Sequence, residues 1–390
     1  MKVAFIVGEE SGDRIGADLI RGLRRLDPDL EVTGLGGPAM QDEGLTSLFD
    51  IGELSIIGVG AIIARLPQLL RRLAQATRHV IAERPDALVI IDSPTFSHRV
   101  AKRVRQAAPE IAIVNYVPPT VWAWRPERAA AMRPYVDHAV CVFPFEPALM
   151  AKLGGPPSTY VGHPLMSEPH LADLMARAGR DVPPRHPATP PTLLILPGSR
   201  RGEIARLLAD FGATLALVKQ RVPDVEAVLP AVERLRPAIE AEVANWPVKP
   251  RLVSGAEAKW QAFGEADAAL AASGTVSLEL ALAGVPMALA YKLDPIGYRL
   301  RHLISGWTAA LPNYIAGHPL VPEHFHEFVR PEHLARRLER LLADTPERRA
   351  QIEGFAGIRR AMAVEHRPGD LAAAVVLKTV KDRRAGRSRI

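Results

Sequence analysis

The sequence predicts an α/β chain of two doubly wound parallel sheets, arranged one after the other and facing across a cleft. Three observations carry that prediction. Short apolar runs alternate with helical stretches, the pattern of a parallel sheet covered on both faces. The segment RDVPPRHPATPPT (180–192) then places five prolines in thirteen residues, can be neither helix nor central strand, and reads as a linker. After it the alternation restarts, and 390 residues are enough for two cores of ordinary size.

The elements follow in order. KVAFIV opens the chain as a buried strand, and a helix runs from the glycine turn to about Arg25. EVTGLG, a long helical region near 62–83, DALVIID, a helix over 96–108 and IAIVNYV continue the pattern, which HAVCVF and TYVGHPL complete. Beyond the linker come TLLILPGSR, EAVLPA, RLVSG, AALAAS and MALAYK, with helices between them. A polar, alanine-rich helical region spans about 331–378, and KDRRAGRSRI is expected to fray in solvent. The expected boundaries are 1–179 for the first domain, 180–192 for the linker, 193–345 for the second domain, 346–380 for C-terminal helices and 381–390 for a basic tail.

Composition narrows the function classes. Hydrophobic residues at 48% and charged residues at 24% describe a globular protein. The net charge of +6 suits an anionic substrate or an anionic membrane surface. Nucleic acid is disfavoured, because no run interleaves clustered bases with stacking aromatics. The single cysteine, Cys141, excludes a disulfide framework and a cysteine-rich zinc site, and its setting in AVCVF reads as a buried strand thiol. KVAFIV follows Met1 with no signal pattern and no run is long enough to span a membrane, so the expected location is cytoplasmic.

The first turn, GEESGDRIG, stands where such folds often hold a phosphate, yet Glu9, Glu10 and Asp13 give it the wrong charge. Gly8, Gly12 and Gly16 let the helix start close to the strand, and Glu9 is expected to meet sugar hydroxyls, from which a carboxylate accepts hydrogen bonds. Asp13 and Glu10 read as stabilisers of the helix N-terminus. Phosphate chemistry falls to the second half. In LPGSRRGEI, Gly198 and Ser199 offer backbone N–H groups, while Arg200 and Arg201 offer planar forks for phosphate oxygens. In ASGTVSLELAL a strand ends at Ser273, and Gly274 and Thr275 open a helix whose first N–H groups suit a diphosphate. Glu279, one turn on, is placed to take the two hydroxyls of a ribose. Neither segment matches G-x4-G-K-[ST], and the first strand is not followed by G-x-G-x-x-G, so triphosphate hydrolysis and dinucleotide redox chemistry lose support. The residues by themselves lead to a nucleotide-sugar transferase.

Eight motifs then stand in a recognisable order: GEESGDRIGA, IDSPTFSHRVAK, VPPTVWAWRPER, FPFEP, YVGHPL, LPGSRRGEI, ASGTVSLELAL and LPNYIAG. Over residues 1 to about 330 the chain resembles the lipid-A-disaccharide synthase family, inverting glycosyltransferases of the GT-B type with two Rossmann-like domains. The resemblance implies transfer of 2,3-diacylglucosamine from UDP-2,3-diacylglucosamine to the 6-hydroxyl of 2,3-diacylglucosamine 1-phosphate (lipid X). The products would be the β-1,6-linked lipid A disaccharide 1-phosphate and UDP. It also implies work at the cytoplasmic surface of the inner membrane, with homodimerisation left open. It assigns importance to Asp92, Glu9, Arg200, Glu279 and Asn313. Two departures lie in the acceptor-facing domain: Ser93-Pro94-Thr95-Phe96-Ser97 stands for S-P-D-F-N, and Tyr116-Val117-Pro118-Pro119 for Y-V-S-P. Another GT-B UDP-sugar enzyme and a UDP-binding paralogue without turnover are the alternatives.

Asp92 follows the strand ALVII directly and is expected to be the base, with Glu9 second. Arg200 and the helix start at Gly274–Thr275 would stabilise the leaving diphosphate. No metal and no cofactor is expected, since no Asp-x-Asp pair accompanies the donor motifs. His163 is weighed between a donor contact and a structural role. Trp122 and Trp124 are weighed between an acyl or sugar groove and core packing. LSIIGVGAIIARLPQLLRRLAQATRH, with Arg65, Arg71, Arg72 and Arg78, is weighed between an interfacial segment and a helix packed on the sheet.

Overall fold

The computed structural model describes residues 1–54, 65–178, 190–294, 298–299 and 306–387. The chain forms two compact units: Met1–Pro164 with Val364–Ile390, and Leu165–Ala363.

Unit 1 is built on six parallel strands: β1 (Lys2–Val7), β2 (Glu31–Leu35), β3 (Ala87–Ile91), β4 (Ala112–Tyr116), β5 (His138–Cys141) and β6 (Ser158–Tyr160). Their order is β2-β1-β3-β4-β5-β6, so the winding reverses between β1 and β3. Residues 3–7 of β1 and all of β3 have no exposed surface, because helices cover both faces. Ala4, Ile6, Leu88, Ile90 and Ile113 meet Val100, Val104, Leu73 and Val80 from helices Ser97–Ala107 and Leu66–Glu83. Cys141 is buried at the end of β5, and burial pushes its thiol up, as a strand thiol requires.

The opposite face carries a helix from the far end of the chain. Pro368–Arg387 packs on Glu10–Leu26, and a Cβ on Gly22 would sit 2.3 Å from the Gly369 carbonyl oxygen. Arg25 pairs with Asp370, Arg383 donates to Asp137 at 3.2 Å, and Arg384 pairs with Asp86. The basic end of the chain is therefore not the solvated, frayed tail the sequence suggests. Its helix continues to Arg387, and two of its arginines meet carboxylates that the local sequence could not reveal.

Unit 2 repeats the plan with β7 (Thr192–Leu196), β8 (Glu226–Ala231), β9 (Arg251–Ser254), β10 (Ala268–Ala272), β11 (Met287–Tyr291) and β12 (Glu323–Phe325). The order is β12-β11-β10-β7-β8-β9, all parallel, with the reversal between β7 and β10. Three-residue β12 is too short to show a period and escapes a sequence reading. Phe211, Leu215, Leu334 and Leu338 fill the core between helices Arg201–Arg221 and Pro331–Leu342. Helix Pro346–Met362 also belongs here. Its buried Gln351 accepts the Met287 N–H at 2.8 Å and donates to the Met287 carbonyl at 3.0 Å. The expected block of C-terminal helices is thus shared: one helix joins unit 2 and the last joins unit 1. Residues 179–189, which include most of the proline-rich segment, and 55–64 of the apolar segment lie outside the described residues, as do 388–390.

Candidate active site

In open α/β sheets a ligand sits outside the carboxyl ends of the strands where the winding reverses. In unit 1 that point lies between β1 and β3, and both of its turns are acidic. Asp92 and Ser93 follow β3 with positive φ angles of 53° and 43°. Val117 and Arg125, in the segment after β4, also have positive φ, at 57° and 52°. Such strain in non-glycine residues costs energy and collects at functional sites. Ser97 secures the bend by donating to the carbonyls of Asp92 and Ser93, at 2.6 and 3.0 Å.

The glycine turn after β1 is shaped to receive that bend. A Cβ on Gly8 would lie 2.3 Å from Ser93 Cβ, and one on Gly12 would lie 2.5 Å from Asp92 Oδ2. Here glycine buys close approach to a carboxylate rather than to a phosphate. Ser11 donates its hydroxyl proton to Asp92 Oδ2 at 3.2 Å. Burial, then the neighbouring charge of Glu9, raises the Asp92 carboxyl to about 6, and the Ser11 hydrogen bond offsets this in part. Glu9 stands at the N-cap position of helix Glu10–Leu26 with extended backbone, its exposed side chain making no capping hydrogen bond. A base with this pKa is ionised at neutral pH yet still holds a proton well.

Asp13 stands in the first turn of its own helix, but its hydrogen bonds go to a neighbouring one. It is buried, and it accepts the N–H groups of Gly37, Ala39 and Met40 at 2.8, 2.9 and 3.1 Å. It thereby caps the neighbouring helix Pro38–Asp42, a partner 24 or more residues away that no local motif announces.

Three further motifs converge beyond β4, β5 and β6. Trp122 meets Phe143 and Phe145 edge-on, and Phe143 lies 5.1 Å from the His163 ring. Glu146 is buried among them. It accepts the N–H groups of Val142, Phe143 and the Trp122 indole at 3.1, 3.0 and 3.3 Å, and burial raises its carboxyl to about 7. Trp122 is thus half-buried in an aromatic cluster, while Trp124 is 37% exposed with the Arg125 guanidinium 5.4 Å from its ring centre. Burial lowers His163 to about 4, so its ring is neutral at physiological pH and offers no charge to a phosphate.

In unit 2 the reversal between β7 and β10 opens into a cavity of about 530 Å³. Gly198, Ser199 and Arg200 line it from the turn after β7, and Ser273, Gly274, Thr275 and Glu279 line it from the segment after β10. Gly198 takes φ 115°, and a Cβ there would meet Glu203 Oε2 at 2.9 Å. The helix Thr275–Ala283 starts at Gly274, where an added Cβ would meet only open space, and ends at left-handed Gly284. Its first N–H groups are left for an anion. Glu203 holds Arg200 at 2.9 Å, leaving the guanidinium mostly exposed. Glu279 is paired with Lys259 at 2.6 Å, a lysine that no motif singles out.

Two expected site residues stand apart from this lining. Arg201 is the first residue of helix Arg201–Arg221 and points to solvent. Asn313 is buried, and its amide is spent on the chain leading into β12. It donates to Thr308 Oγ1, the Val321 carbonyl and Glu323 Oε2 at 3.1, 3.0 and 3.2 Å, and accepts from the N–H groups of Leu320 and Val321. With every polar atom engaged locally, Asn313 shapes the loop and is not a lining residue. Among the described residues, no group of three or more His, Cys, Asp or Glu could hold a metal ion.

A family model described as "Lipid-A-disaccharide synthetase" matches residues 3–367. The lipid-A-disaccharide synthase of Nitrobacter winogradskyi is 47% identical over 389 residues, covering 98% of this chain and 97% of its own. Among solved structures, MurG of Acinetobacter baumannii aligns with TM-score 0.60 at 16% identity, covering 97% of this chain and 99% of its own. A UDP-GlcNAc 2-epimerase from Neisseria meningitidis bound to UDP-GlcNAc aligns with TM-score 0.60 at 12% identity, covering 98% and 100%. These two show the shared GT-B fold of paired Rossmann-like sheets, and the sequence relationship shows more: this chain belongs to the lipid-A-disaccharide synthase family.

Proposed function

We propose that this glycosyltransferase joins two acylated glucosamines, taking 2,3-diacylglucosamine from UDP and adding it to the 6-hydroxyl of lipid X. The observation that carries the donor half is the unit 2 cavity. Turns more than seventy residues apart, LPGSR and SGT, meet there at the reversal point, with N–H groups suited to a diphosphate and Glu279 suited to a ribose. Family membership supports the acyl substrates.

The reaction asks for one proton transfer and one displacement. The acceptor 6-hydroxyl loses its proton to Asp92 while its oxygen bonds to the anomeric carbon. The bond from that carbon to the diphosphate oxygen breaks, and UDP departs with the electron pair. Attack opposite the leaving group inverts the centre, giving the β linkage. Arg200 and the helix start at Gly274–Thr275 stabilise the charge that grows on the diphosphate, with no metal or cofactor required.

A transfer assay with radiolabelled donor and lipid X tests this. Asp92→Asn is expected to lose ~10²-fold or more in kcat, within the ~10²–10⁴-fold span of a positioned base. Arg200→Ala is expected to lose activity with an unchanged chelator response. Retention of Asp92→Asn activity within about tenfold would remove Asp92 as base, since less than ~1.4 kcal/mol of barrier would be involved. Activity lost in chelator and restored by magnesium would refute metal independence.

The acyl chains also require contact with a bilayer. Helix Leu66–Glu83 buries Leu73, Ala76 and Val80 against the sheet while leaving Leu66 and Leu70 nearly half exposed, with Arg71 beside them. No helix among the described residues is long and apolar enough to cross a membrane. Arg72 is not available to lipid. It pairs with Glu53 at 2.6 Å and lies over the Phe49 ring at 4.6 Å. The informative variant is therefore Leu66→Glu/Leu70→Glu, which is expected to lose binding to anionic vesicles while retaining UDP binding. Undiminished vesicle binding would place the membrane contact elsewhere.

A further inference from the structure

Lys259 belongs to none of the motifs, yet it lines the unit 2 cavity from the helix Ala256–Glu265 that follows β9. Its Nζ lies 2.6 Å from Glu279 Oε2, and its charge sits 4.7 Å from the centre of the Trp260 ring and 5.4 Å from that of Phe263. Glu279 is the more enclosed partner, with 14% of its side chain exposed against 30% for the lysine. A carboxylate so placed on a helix has several staggered rotamers to choose from. The ammonium fixes one of them by a charge-assisted hydrogen bond to a single oxygen. Among the described residues the other oxygen, Oε1, accepts no hydrogen bond, and it keeps its acceptor capacity for the cavity.

We infer that Lys259 is a positioning residue that holds Glu279 in the rotamer from which it reads the ribose hydroxyls of the donor nucleotide. The inference rests on the nucleotide reading of this cavity proposed above. The aromatic rings complete the device. Trp260 and Phe263 are buried, and their faces hold the lysine in place by cation–π attraction, so the carboxylate is braced from a rigid wall rather than from a mobile surface chain. The result is a specificity element: a nucleotide lacking a ribose hydroxyl leaves the braced carboxylate without that donor, and solvent recovers little of the loss at a side chain only 14% exposed.

The test is calorimetric titration of the full-length protein with UDP and 2′-deoxy-UDP, for wild type, Lys259→Met, Lys259→Arg and Glu279→Gln. Methionine keeps the apolar contact with Trp260 and Phe263 but removes the charge. Wild type is expected to prefer UDP by roughly tenfold or more, as a hydrogen bond to a charged group supplies. In Lys259→Met the preference is expected to fall to within about twofold, with KM for the sugar donor raised and kcat near wild type. Lys259→Arg is expected to restore most of the preference, which a merely structural residue would not do. Equal preference in wild type and Lys259→Met overturns the positioning role. Full preference in Glu279→Gln overturns the reading of the ribose by Glu279, and the role of Lys259 with it. Failure of wild type to bind UDP at all would instead refute the nucleotide assignment of the cavity, an outcome distinct from both.

Discussion

Asp92 gathers at one residue what the reaction needs and what the fold must tolerate. Its backbone is strained at φ 53°, and its carboxyl is raised to about 6 by burial and by Glu9. As the proposed base, Asp92 would work only when ionised, so kcat/KM is expected to fall about tenfold per pH unit below about 6. Glu9→Gln removes a like charge and should move that limb to lower pH; an unmoved limb would show that another group titrates. Stability runs the opposite way. The folded pKa lies above the ordinary 3.8, so the ionised carboxylate costs stability at neutral pH, by at most about 3 kcal/mol. That cost is relieved as pH falls through about 6 and is gone below 3.8. Asp92→Asn, slowed as above, is therefore expected to be more stable than wild type in urea at pH 7.5, with the two converging near pH 4.

At the scale of the element, the turn after β1 separates three carboxylates that look alike in GEESGD. Glu9 lies beside Asp92, Glu10 is exposed at the helix start, and Asp13 caps a different helix. Asp13→Ala would strand three N–H donors, two of them bonded within the buried interior, and should cost about 2 kcal/mol or more by urea denaturation. Glu10→Ala should stay within about 0.5 kcal/mol. Gly12→Ala pushes a methyl to 2.5 Å from Asp92 Oδ2, against a strained residue with little room to yield. A loss of about 1–3 kcal/mol is expected, together with reduced transfer activity. Wild-type behaviour of Gly12→Ala would mean that the close approach of turn and carboxylate is dispensable.

For the whole molecule, the defining feature is that the chain returns. Helix Pro368–Arg387 supplies Ala372, Ala373, Val376 and Val380 to the buried interior of unit 1, beside residues more than 300 positions earlier. Truncation after Ala363 would expose the matching face of Glu10–Leu26 and remove one arginine partner each from Asp86 and Asp137, which keep the Lys2 N–H and Arg105 respectively. Such a chain is expected to lose its cooperative unfolding transition for unit 1, followed by circular dichroism, while UDP binding by unit 2 persists. Retention of both would show that the returning helix is an accessory.

The amino-acid sequence by itself determined the sheets, because a strand buried on both faces must be apolar throughout and the runs KVAFIV, ALVII and TLLIL can be little else. It also determined the turns that matter. Glycine is required where a side chain presses on the turn, as Ser93 and Asp92 do on Gly8 and Gly12, or where φ is positive, as at Gly198 and Gly274, and the motifs around these glycines carry the family. What the tertiary structure alone decided are the pairings between distant residues of ordinary type. Lys259 beside Glu279, Glu146 beneath Trp122, Asp13 on a second helix and Asn313 spent on its own loop have no local signature. A charge or an amide finds its partner by where the chain brings it, and period and spacing along the sequence do not record that distance.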